Sequence, residues 1–293
     1  MAVDRRRFLK GVLAAGGAAA AAGPSAAASE AAPQAPPDAV GMLYDATLCI
    51  GCKTCVVACR EANGLAPETP DWTEGLWDAP PGLDEHTKNV IELYRDGEEQ
   101  SYVKRQCMHC LDPGCVAACP VKALEKRQFG IVTWDGDRCI GCRYCQVACP
   151  YEVPKFEWSS PVPKVVKCEL CLHRLVEGKE PACCEVCPRG AIVYGRRDEL
   201  LAEAKRRIAA KPGLYVPKVY GEHDGGGTQV LYISHVPFEK LGLPELGEKG
   251  VGATARAVQG TVYRGFVAPV ALYAILAGVI LRNRRHAGEE ETR

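Results

Sequence analysis

One long stretch near the C-terminus is apolar and contains no charged residue. This stretch, GFVAPVALYAILAGVIL, covers the 17 residues 265–281, with Arg264 before it and several arginines soon after it. A helix of that length just spans a bilayer core of about 30 Å, and flanking arginines suit the headgroup layers. A buried amphipathic helix is the alternative, but the stretch has no polar face. We therefore expect a transmembrane helix over 262–282 and, because the arginines cluster after it, a cytoplasmic tail over 283–293.

A segment just after the middle of the chain spaces its apolar residues with the 3.6-residue period of an α-helix. The segment 198–209, DELLAEAKRRIA, repeats apolar side chains on one face at Leu200, Leu201, Ala204 and Ile208. Asp198 stands where an N-cap residue is favoured, so we expect a packed surface helix that begins there. The three glycines 225–227 have neither a flanking βαβ pattern nor a following Lys-Ser/Thr, which predicts a turn and not a phosphate-binding loop.

The N-terminus has the three parts of an export signal in order. A basic start, MAVDRRRFLK, precedes a weakly apolar run at 11–22 and an Ala-x-Ala-type site at 26–28. The paired arginines before Phe-Leu-Lys resemble the twin-arginine signal, whose pathway exports folded proteins. An Ala-rich helix cap on the mature protein is the alternative. We expect a signal peptide over 1–28 and an Ala/Pro-rich linker over 29–40.

Composition makes cysteine the informative residue. The chain has 36 basic and 36 acidic residues, a balance that gives no reason to expect a nucleic-acid partner. It also has 17 cysteines, an odd number, so at least one is surplus to a scheme of pairs or fours. All of them fall into four motifs.

The four motifs share one spacing scheme. Motifs one and three read CIGCKTCVVAC from 49 and CIGCRYCQVAC from 139, and both follow C-x2-C-x2-C-x3-C, the run that binds [4Fe–4S] clusters in bacterial ferredoxins. Motif two, CMHCLDPGCVAAC from 107, and motif four, CELC from 168 with CCEVC from 183, enlarge the gap before the third cysteine. Three thiolates on a tight loop reach three corners of one cluster, whereas the fourth begins a helix and reaches the neighbouring cluster.

Other cysteine chemistry fits the motifs less well. A zinc site would leave the third close cysteine of motifs one and three idle. A disulfide framework is compatible with export, but four groups of four are not its usual pattern. Covalent haem needs C-x-x-C-H, and His173 comes one residue too late for that motif. Iron–sulfur binding is the predicted chemistry, and export of a folded protein reconciles it with an oxidising destination.

The four-motif core resembles the iron–sulfur electron-transfer subunits of membrane-bound oxidoreductases such as formate dehydrogenase, dimethyl sulfoxide reductase, polysulfide reductase and hydrogenase-2. Within this family, the hydrogenase-2 type is indicated by GMLYDATLCIGC, KRQCMHCLDPGC, CRYCQVACPYEVPK and YGEHDGGGTQVLYISHVP, the signal and the C-terminal apolar run. The resemblance implies an α+β fold with two interleaved bacterial-ferredoxin-like domains, each binding two [4Fe–4S] clusters, plus one C-terminal transmembrane helix. Domain A would cover 41–100 and 160–197, domain B 101–159, and a C-terminal extension 198–261.

The resemblance also implies how the motifs share clusters, because in the family motif one pairs with four and motif two with three. Cluster 1 would be bound by Cys49, Cys52, Cys55 and Cys187, and cluster 2 by Cys168, Cys171, Cys183 and Cys59. Cluster 3 would be bound by Cys107, Cys110, Cys115 and Cys149, and cluster 4 by Cys139, Cys142, Cys145 and Cys119. These sixteen cysteines would bind iron in four [4Fe–4S] clusters.

The motif repeat predicts which of the two adjacent cysteines in EPACCEVCP binds iron. In the other motifs three residues separate the third cysteine from the fourth, as between Cys55 and Cys59. The same spacing selects Cys183 with Cys187 and leaves Cys184 as a small buried side chain that binds no iron.

No Ser–His–Asp or paired-carboxylate arrangement is evident, so we expect no catalytic residue in this chain. The resemblance implies electron transfer between a periplasmic [NiFe] hydrogenase, with its small and large subunits, and an integral membrane quinone-reactive subunit. The alternatives are the iron–sulfur subunit of a formate dehydrogenase or of a molybdopterin sulfur or sulfoxide reductase, and a disulfide-stabilised module without redox function. The expected location is the periplasmic face of the cell inner membrane, reached by the twin-arginine route.

Overall fold

A computed structural model of the chain describes residues 34–66, 80–160 and 163–290. The strands are β1 (Val40–Asp45), β2 (Asn89–Asp96), β3 (Glu99–Gln106), β4 (Leu124–Lys126), β5 (Val132–Trp134), β6 (Lys155–Phe156), β7 (Val165–Val166), β8 (Ile192–Arg196) and β9 (Val230–Ile233). The α-helices are α1 (Thr54–Ala62), α2 (Gly114–Ala117), α3 (Tyr144–Val147), α4 (Leu172–Leu175), α5 (Ala182–Glu185), α6 (Arg197–Ala210) and α7 (Gly252–Glu290). This mixture is the α+β content expected from the sequence.

Strand β1 is buried along its whole length because it is the middle strand of the sheet β8-β1-β9. It runs antiparallel to β8 and parallel to β9. Successive side chains of a strand point to opposite faces, so the two faces of β1 enter different cores. Leu43 packs with Leu200 and Ala204 of α6, whereas Met42 and Tyr44 pack on the face that carries the cysteines.

The close approach of β1 and β9 depends on a glycine. A Cβ atom at Gly41 would lie 1.9 Å from the carbonyl oxygen of Gln229. No real Cβ contact is that short, so a side chain at this position would force the strands apart. Gly195, which faces Gly41 across the β1–β8 pair, has room, because its Cβ would meet only Leu200, at 3.5 Å.

The cysteine loops of motifs one and three share a backbone conformation. Gly51 and Gly141 have φ values of +70° and +69°, and Lys53 and Arg143 have φ values of +58° and +62°. A short helix begins directly after each left-handed residue, at Thr54 and at Tyr144. A glycine tolerates positive φ without penalty, and the lysine and arginine adopt it at a cost. The sequence repeat is therefore also a structural repeat.

The helix predicted over 198–209 is confirmed as α6, with Leu200 and Ala204 buried. The N-cap prediction is wrong, because the helix begins at Arg197 and Asp198 lies in its first turn. The Asp198 carboxylate accepts a hydrogen bond from Nη2 of Arg196 at 2.9 Å instead of capping the helix. The predicted turn at the three glycines is confirmed, since all of them have positive φ.

The chain divides into two compact units, and residues 32–256 form the one that contains every cysteine motif. The domain boundaries predicted within it stay predictions, although the boundary at 100/101 falls inside the β2–β3 hairpin, whose strands pair from Asn89↔Gln106 to Asp96↔Glu99. The predicted signal peptide and residues 29–33 of the predicted linker lie outside the described residues.

The other unit includes the part of α7 that begins at residue 257. The predicted C-terminal segment is helical, and its large apolar side chains from Val270 to Leu281 are exposed. The predicted membrane span is not confirmed: among the described residues, no helix is both long and apolar enough to cross a bilayer.

Candidate metal centres

All seventeen cysteines lie among the described residues, and each of them is a free thiol. No disulfide joins any two of them. Most of the thiols are buried or half-buried, and Cys52 and Cys142 are exposed. The side chains converge in four groups, which we number in the order in which they lie next to one another.

Group 1 consists of Cys49, Cys52, Cys55 and Cys187. These four side chains line one cavity, together with Tyr44 and Lys104. Burial raises the pKa of the Cys49 thiol, and the neighbouring Cys187 and Cys52 thiols raise it further, while hydrogen bonds from Tyr44 and the Gly51 backbone oppose the shift. Motif one thus meets the last cysteine of motif four, as the family pairing implied.

Group 4 consists of Cys119, Cys139, Cys142 and Cys145. They line a second cavity, whose apolar walls include Trp134 and Phe156. Burial raises the pKa of Cys145 to about 12, with further increases from its three partner thiols. Four thiols around one cavity are the donor set that a [4Fe–4S] cluster requires, so groups 1 and 4 fit the cofactor.

Group 2 consists of Cys59, Cys168, Cys171 and Cys183. Burial raises the pKa of Cys59 to about 11, and the thiols of Cys183 and Cys171 act in the same direction. Burial likewise raises the pKa of Cys168 well above its usual value, and Cys59 and other neighbouring thiols raise it further. Cys59 is on α1, one turn after the group 1 residue Cys55, so this helix joins groups 1 and 2.

Group 3 consists of Cys107, Cys110, Cys115 and Cys149. Burial raises the pKa of Cys110 well above the ordinary thiol value, and the other three members of the group raise it further. Burial also raises the pKa of Cys149 to about 11. Motif two is therefore close to the last cysteine of motif three, and the four groups contain all sixteen predicted ligands.

The groups follow one another in the order 1, 2, 3, 4. Cys55 of group 1 interacts electrostatically with Cys183 of group 2. Cys168 of group 2 interacts with Cys107 of group 3, and Cys115 of group 3 with Cys145 of group 4. A linear series of thiol groups that are close enough to influence one another is suited to passing single electrons.

The sulfurs accept hydrogen bonds from nearby donors in several groups. The backbone N–H of Ala123 donates to Sγ of Cys119 at 3.2 Å, and the N–H of Leu170 donates to Sγ of Cys168 at 3.3 Å. The Thr54 hydroxyl donates to Sγ of Cys52 at 3.3 Å. Such bonds stabilise thiolate and sulfide charge and are one of the ways in which a protein sets a cluster potential.

Cys184 is buried beside Cys183, and the two side chains are hydrogen-bonded. This bond lowers the pKa of Cys183 and raises that of Cys184, so Cys184 keeps its proton and donates to the Cys183 sulfur. The sequence repeat had left Cys184 over; the structure adds that its S–H contacts the ligand candidate next to it.

Two buried lysines were not anticipated from the sequence. Lys104 is fully buried on β3, and its Nζ donates to Oδ1 of Asn89 at 2.5 Å. Lys167 is nearly as buried and donates to the carbonyl oxygens of Cys168, at 2.9 Å, and of Val132. Each lysine shortly precedes a cysteine motif, and this is the signal that could have revealed them.

His109, inside motif two, is fully buried. Its Nδ1 accepts the backbone N–H of Val132 at 3.1 Å, which places the ring proton on Nε2. Nε2 is buried and has no hydrogen-bond partner among the described residues. Burial lowers the pKa of His109 well below its usual value, and the cations Lys167 and Lys126 lower it further, so the ring is neutral. A buried N–H without a partner, beside group 3, fits a cluster whose sulfurs accept hydrogen bonds.

Within the described ranges, no three His, Cys, Asp or Glu side chains come close enough together to hold a single metal ion. The four groups are instead sets of four thiols, two of them around open cavities, on loops of ferredoxin spacing. Fold and site together define an iron–sulfur protein of the ferredoxin-like electron-transfer class.

Comparison with known proteins identifies the family within this class. Residues 48–123 and residues 99–197 each match a family described as a 4Fe-4S dicluster domain. The chain is 42% identical to the hydrogenase-2 operon protein HybA of Escherichia coli O157:H7, over 97% of both chains. It is also 39% identical to the formate dehydrogenase-O iron-sulfur subunit of Escherichia coli K12, over 73% of this chain and 74% of that one.

The nitrate-inducible formate dehydrogenase iron-sulfur subunit of the same strain is 38% identical over 67% of this chain and 68% of its own. The chain therefore belongs to the family of iron–sulfur electron-transfer subunits with two 4Fe-4S dicluster domains that includes HybA.

Proposed function

We propose that the chain binds four [4Fe–4S] clusters, one in each cysteine group, and conducts electrons along them in the order 1, 2, 3, 4. The observation that carries this proposal is the linear series of four groups, in which Cys55, Cys168 and Cys115 each interact with a thiol of the next group. The sixteen ligands are those predicted from the sequence, and Cys184 is excluded.

When bound, each cluster accepts and releases one electron. The protein supplies the thiolates, which hold the iron, and burial, which excludes water and lowers the cost of rearranging solvent as charge moves. Hydrogen bonds from Thr54, Ala123 and Leu170 to cysteine sulfurs favour the more negative, reduced state. No step requires a catalytic side chain in this chain, which accords with an electron-transfer subunit.

The proposed partners are a periplasmic [NiFe] hydrogenase with small and large subunits at one end and an integral membrane quinone-reactive subunit at the other. The support is the match to the hydrogenase-2 operon protein, which extends over 97% of this chain. The formate dehydrogenase subunits match over 67–73% of it, so a molybdopterin partner is the second candidate.

We further propose that the protein lies on the periplasmic face of the cell inner membrane and is attached through α7. Exposed apolar side chains from Val270 to Leu281 and the arginines that follow them support this attachment. The twin-arginine sequence at the N-terminus supports the route. Replacing both Ile275 and Val279 by Asp should move the protein from the membrane to the soluble fraction, whereas Val258→Asp on the same helix should not.

The test of the main proposal is the iron and sulfide content of the protein purified without oxygen, combined with EPR of the reduced form. About sixteen irons per chain and signals from four interacting clusters are expected. Far fewer irons would overturn the four-cluster proposal.

The partner is tested separately, by affinity purification of the tagged full chain in mild detergent. A nickel-containing large subunit in the eluate would support the hydrogenase assignment. Molybdenum or tungsten in its place would favour the second candidate and would contradict the first.

A further inference from the structure

Lys104 lies where groups 1 and 2 meet. Its side chain lines the group 1 cavity beside Cys55, and its Nζ is bound to Oδ1 of Asn89. The Asn89 amide donates in turn to the carbonyl oxygen of Cys55 at 3.4 Å and is hydrogen-bonded to the thiol of Cys59 in group 2. One buried cation and one amide therefore bridge two groups.

Lys167 occupies the corresponding place between groups 2 and 3. Its Nζ donates to the carbonyl oxygen of Cys168 in group 2 and to that of Val132, whose N–H binds His109 of motif two. It interacts electrostatically with Cys107 and Cys115 of group 3. Glu169 is also near, but its carboxylate is shared with Lys88 at 3.7 Å and with the N–H of Trp134 at 3.0 Å.

Burying a lysine is costly unless its charge is compensated. The hydrogen-bond partners of Lys104 and Lys167 described above are neutral amide and carbonyl oxygens, which satisfy the N–H groups but do not neutralise the charge. For Lys104 the negative charge nearby is that of Cys55, Cys183 and Cys59, and for Lys167 it is that of Cys107 and Cys115 together with Glu169. Thiols of two neighbouring groups lie near each lysine, so the clusters they would bind would place negative charge on both sides of it.

We propose that Lys104 and Lys167 are positioning residues for electron transfer, two fixed cations at the first and second junctions of the cluster series that raise the reduction potentials of the clusters on either side. This inference rests on the proposed four-cluster function. A transfer moves one electron from a cluster to its neighbour, no bond forms or breaks, and the lysine keeps its proton. A cation favours the more negative, reduced state, and a buried cation does so with little screening.

The placement predicts a pattern that distinguishes this role from a general structural one. Cluster 2 borders both lysines, clusters 1 and 3 border one each, and cluster 4 borders neither. Lys104→Gln retains an N–H donor for Asn89 but removes the charge, and Lys167→Gln does the same at the other junction.

The experiment is a redox titration of the purified holoprotein followed by EPR. Each variant should lower two of the four potentials, with about a tenfold fall in the equilibrium constant for reduction, or about 59 mV for a one-electron couple. The potential of cluster 2 should move in both variants, and the potential of cluster 4 should move in neither. Lys205→Gln is the matched control, because Lys205 is an exposed lysine on α6, paired with Glu222, and it should move none.

Unmoved potentials in a variant with full iron, or equal shifts of all four, would overturn the inference and leave the four-cluster function standing. An iron-poor wild-type protein would instead overturn the proposed function itself. If a Gln variant lost iron, Lys104→Met and Lys167→Met would be titrated in its place, and loss of iron in these as well would assign the lysines to folding and overturn the proposal.

Discussion

Cys55 and Cys59 are one turn apart on α1, yet they belong to different groups. Cys55 is next to Cys49 and Cys187, whereas Cys59 is next to Cys171 and Cys183. A single helical turn thus carries the connection between groups 1 and 2. The spacing of three intervening residues places both side chains on one side of the helix, where each faces its own set of partners.

The two adjacent cysteines of motif four should differ in their effect on iron content. Cys183→Ala removes a proposed ligand and should cost about a quarter of the bound iron. Cys184→Ala removes only the S–H that donates to the Cys183 sulfur. It should retain all the iron and lower the potential of one cluster. Iron analysis and a redox titration check both results, and the reverse iron pattern would show that the ligand is Cys184.

His109 should influence the potential of cluster 3 through its unpaired N–H. His109→Phe keeps a ring of similar shape in this buried site but removes the Nε2 donor, so the equilibrium constant for reduction should fall by about tenfold. The variant also loses the hydrogen bond that the Val132 N–H donates to Nδ1 of His109. His173→Phe is the control, because this exposed histidine lies between the two parts of motif four. Equal potentials in wild type and His109→Phe would refute the prediction.

Gly41 and Gly195 face each other across β1 and β8 but should tolerate alanine very differently. Gly41→Ala would place a Cβ against the Gln229 carbonyl and separate β1 from β9, at a cost of about 3 kcal/mol. Gly195→Ala would make an ordinary contact with Leu200 and should leave stability almost unchanged. The two variants are compared by their denaturant midpoints, measured by loss of the visible cluster absorbance. Similar midpoints for the two variants would show that the strands can shift to accommodate the methyl group.

Asp45, at the end of β1, is fully buried and serves several donors. Its carboxylate accepts from the hydroxyls of Thr47 at 2.6 Å and Tyr215 at 3.0 Å, and pairs with Nη1 of Arg207 at 3.2 Å. Asp45→Ala leaves the arginine without this partner and should cost about 3 kcal/mol. Because Asp45 shortly precedes Cys49, group 1 should also bind iron less well. Asp198→Ala, an exposed carboxylate paired with Arg196, is the control and should change the denaturant midpoint little.

The sequence allowed much of the local structure to be predicted. The spacing within each motif predicted tight loops followed by helices, and the helix over 198–209 came from its apolar period alone. These features depend on contacts within a few residues, so they are readable from the chain. The N-cap was predicted two residues late, at Asp198 instead of Arg196, because Arg196 holds the Asp198 carboxylate, and a side-chain pair of this kind has no periodic signal.

From the sequence alone, the repeat of the third and fourth cysteines predicted that Cys184 stands outside the scheme of four. Only the tertiary structure decided which motifs meet, that the groups form one linear series, and that Lys104 and Lys167 are buried at its junctions. The physical reason is that spacing constrains a loop of a few residues, whereas the approach of Cys59 to Cys171 or of Cys49 to Cys187 depends on the packing of α1 and α5 beside β1. A lysine in the sequence looks solvated until that packing encloses it.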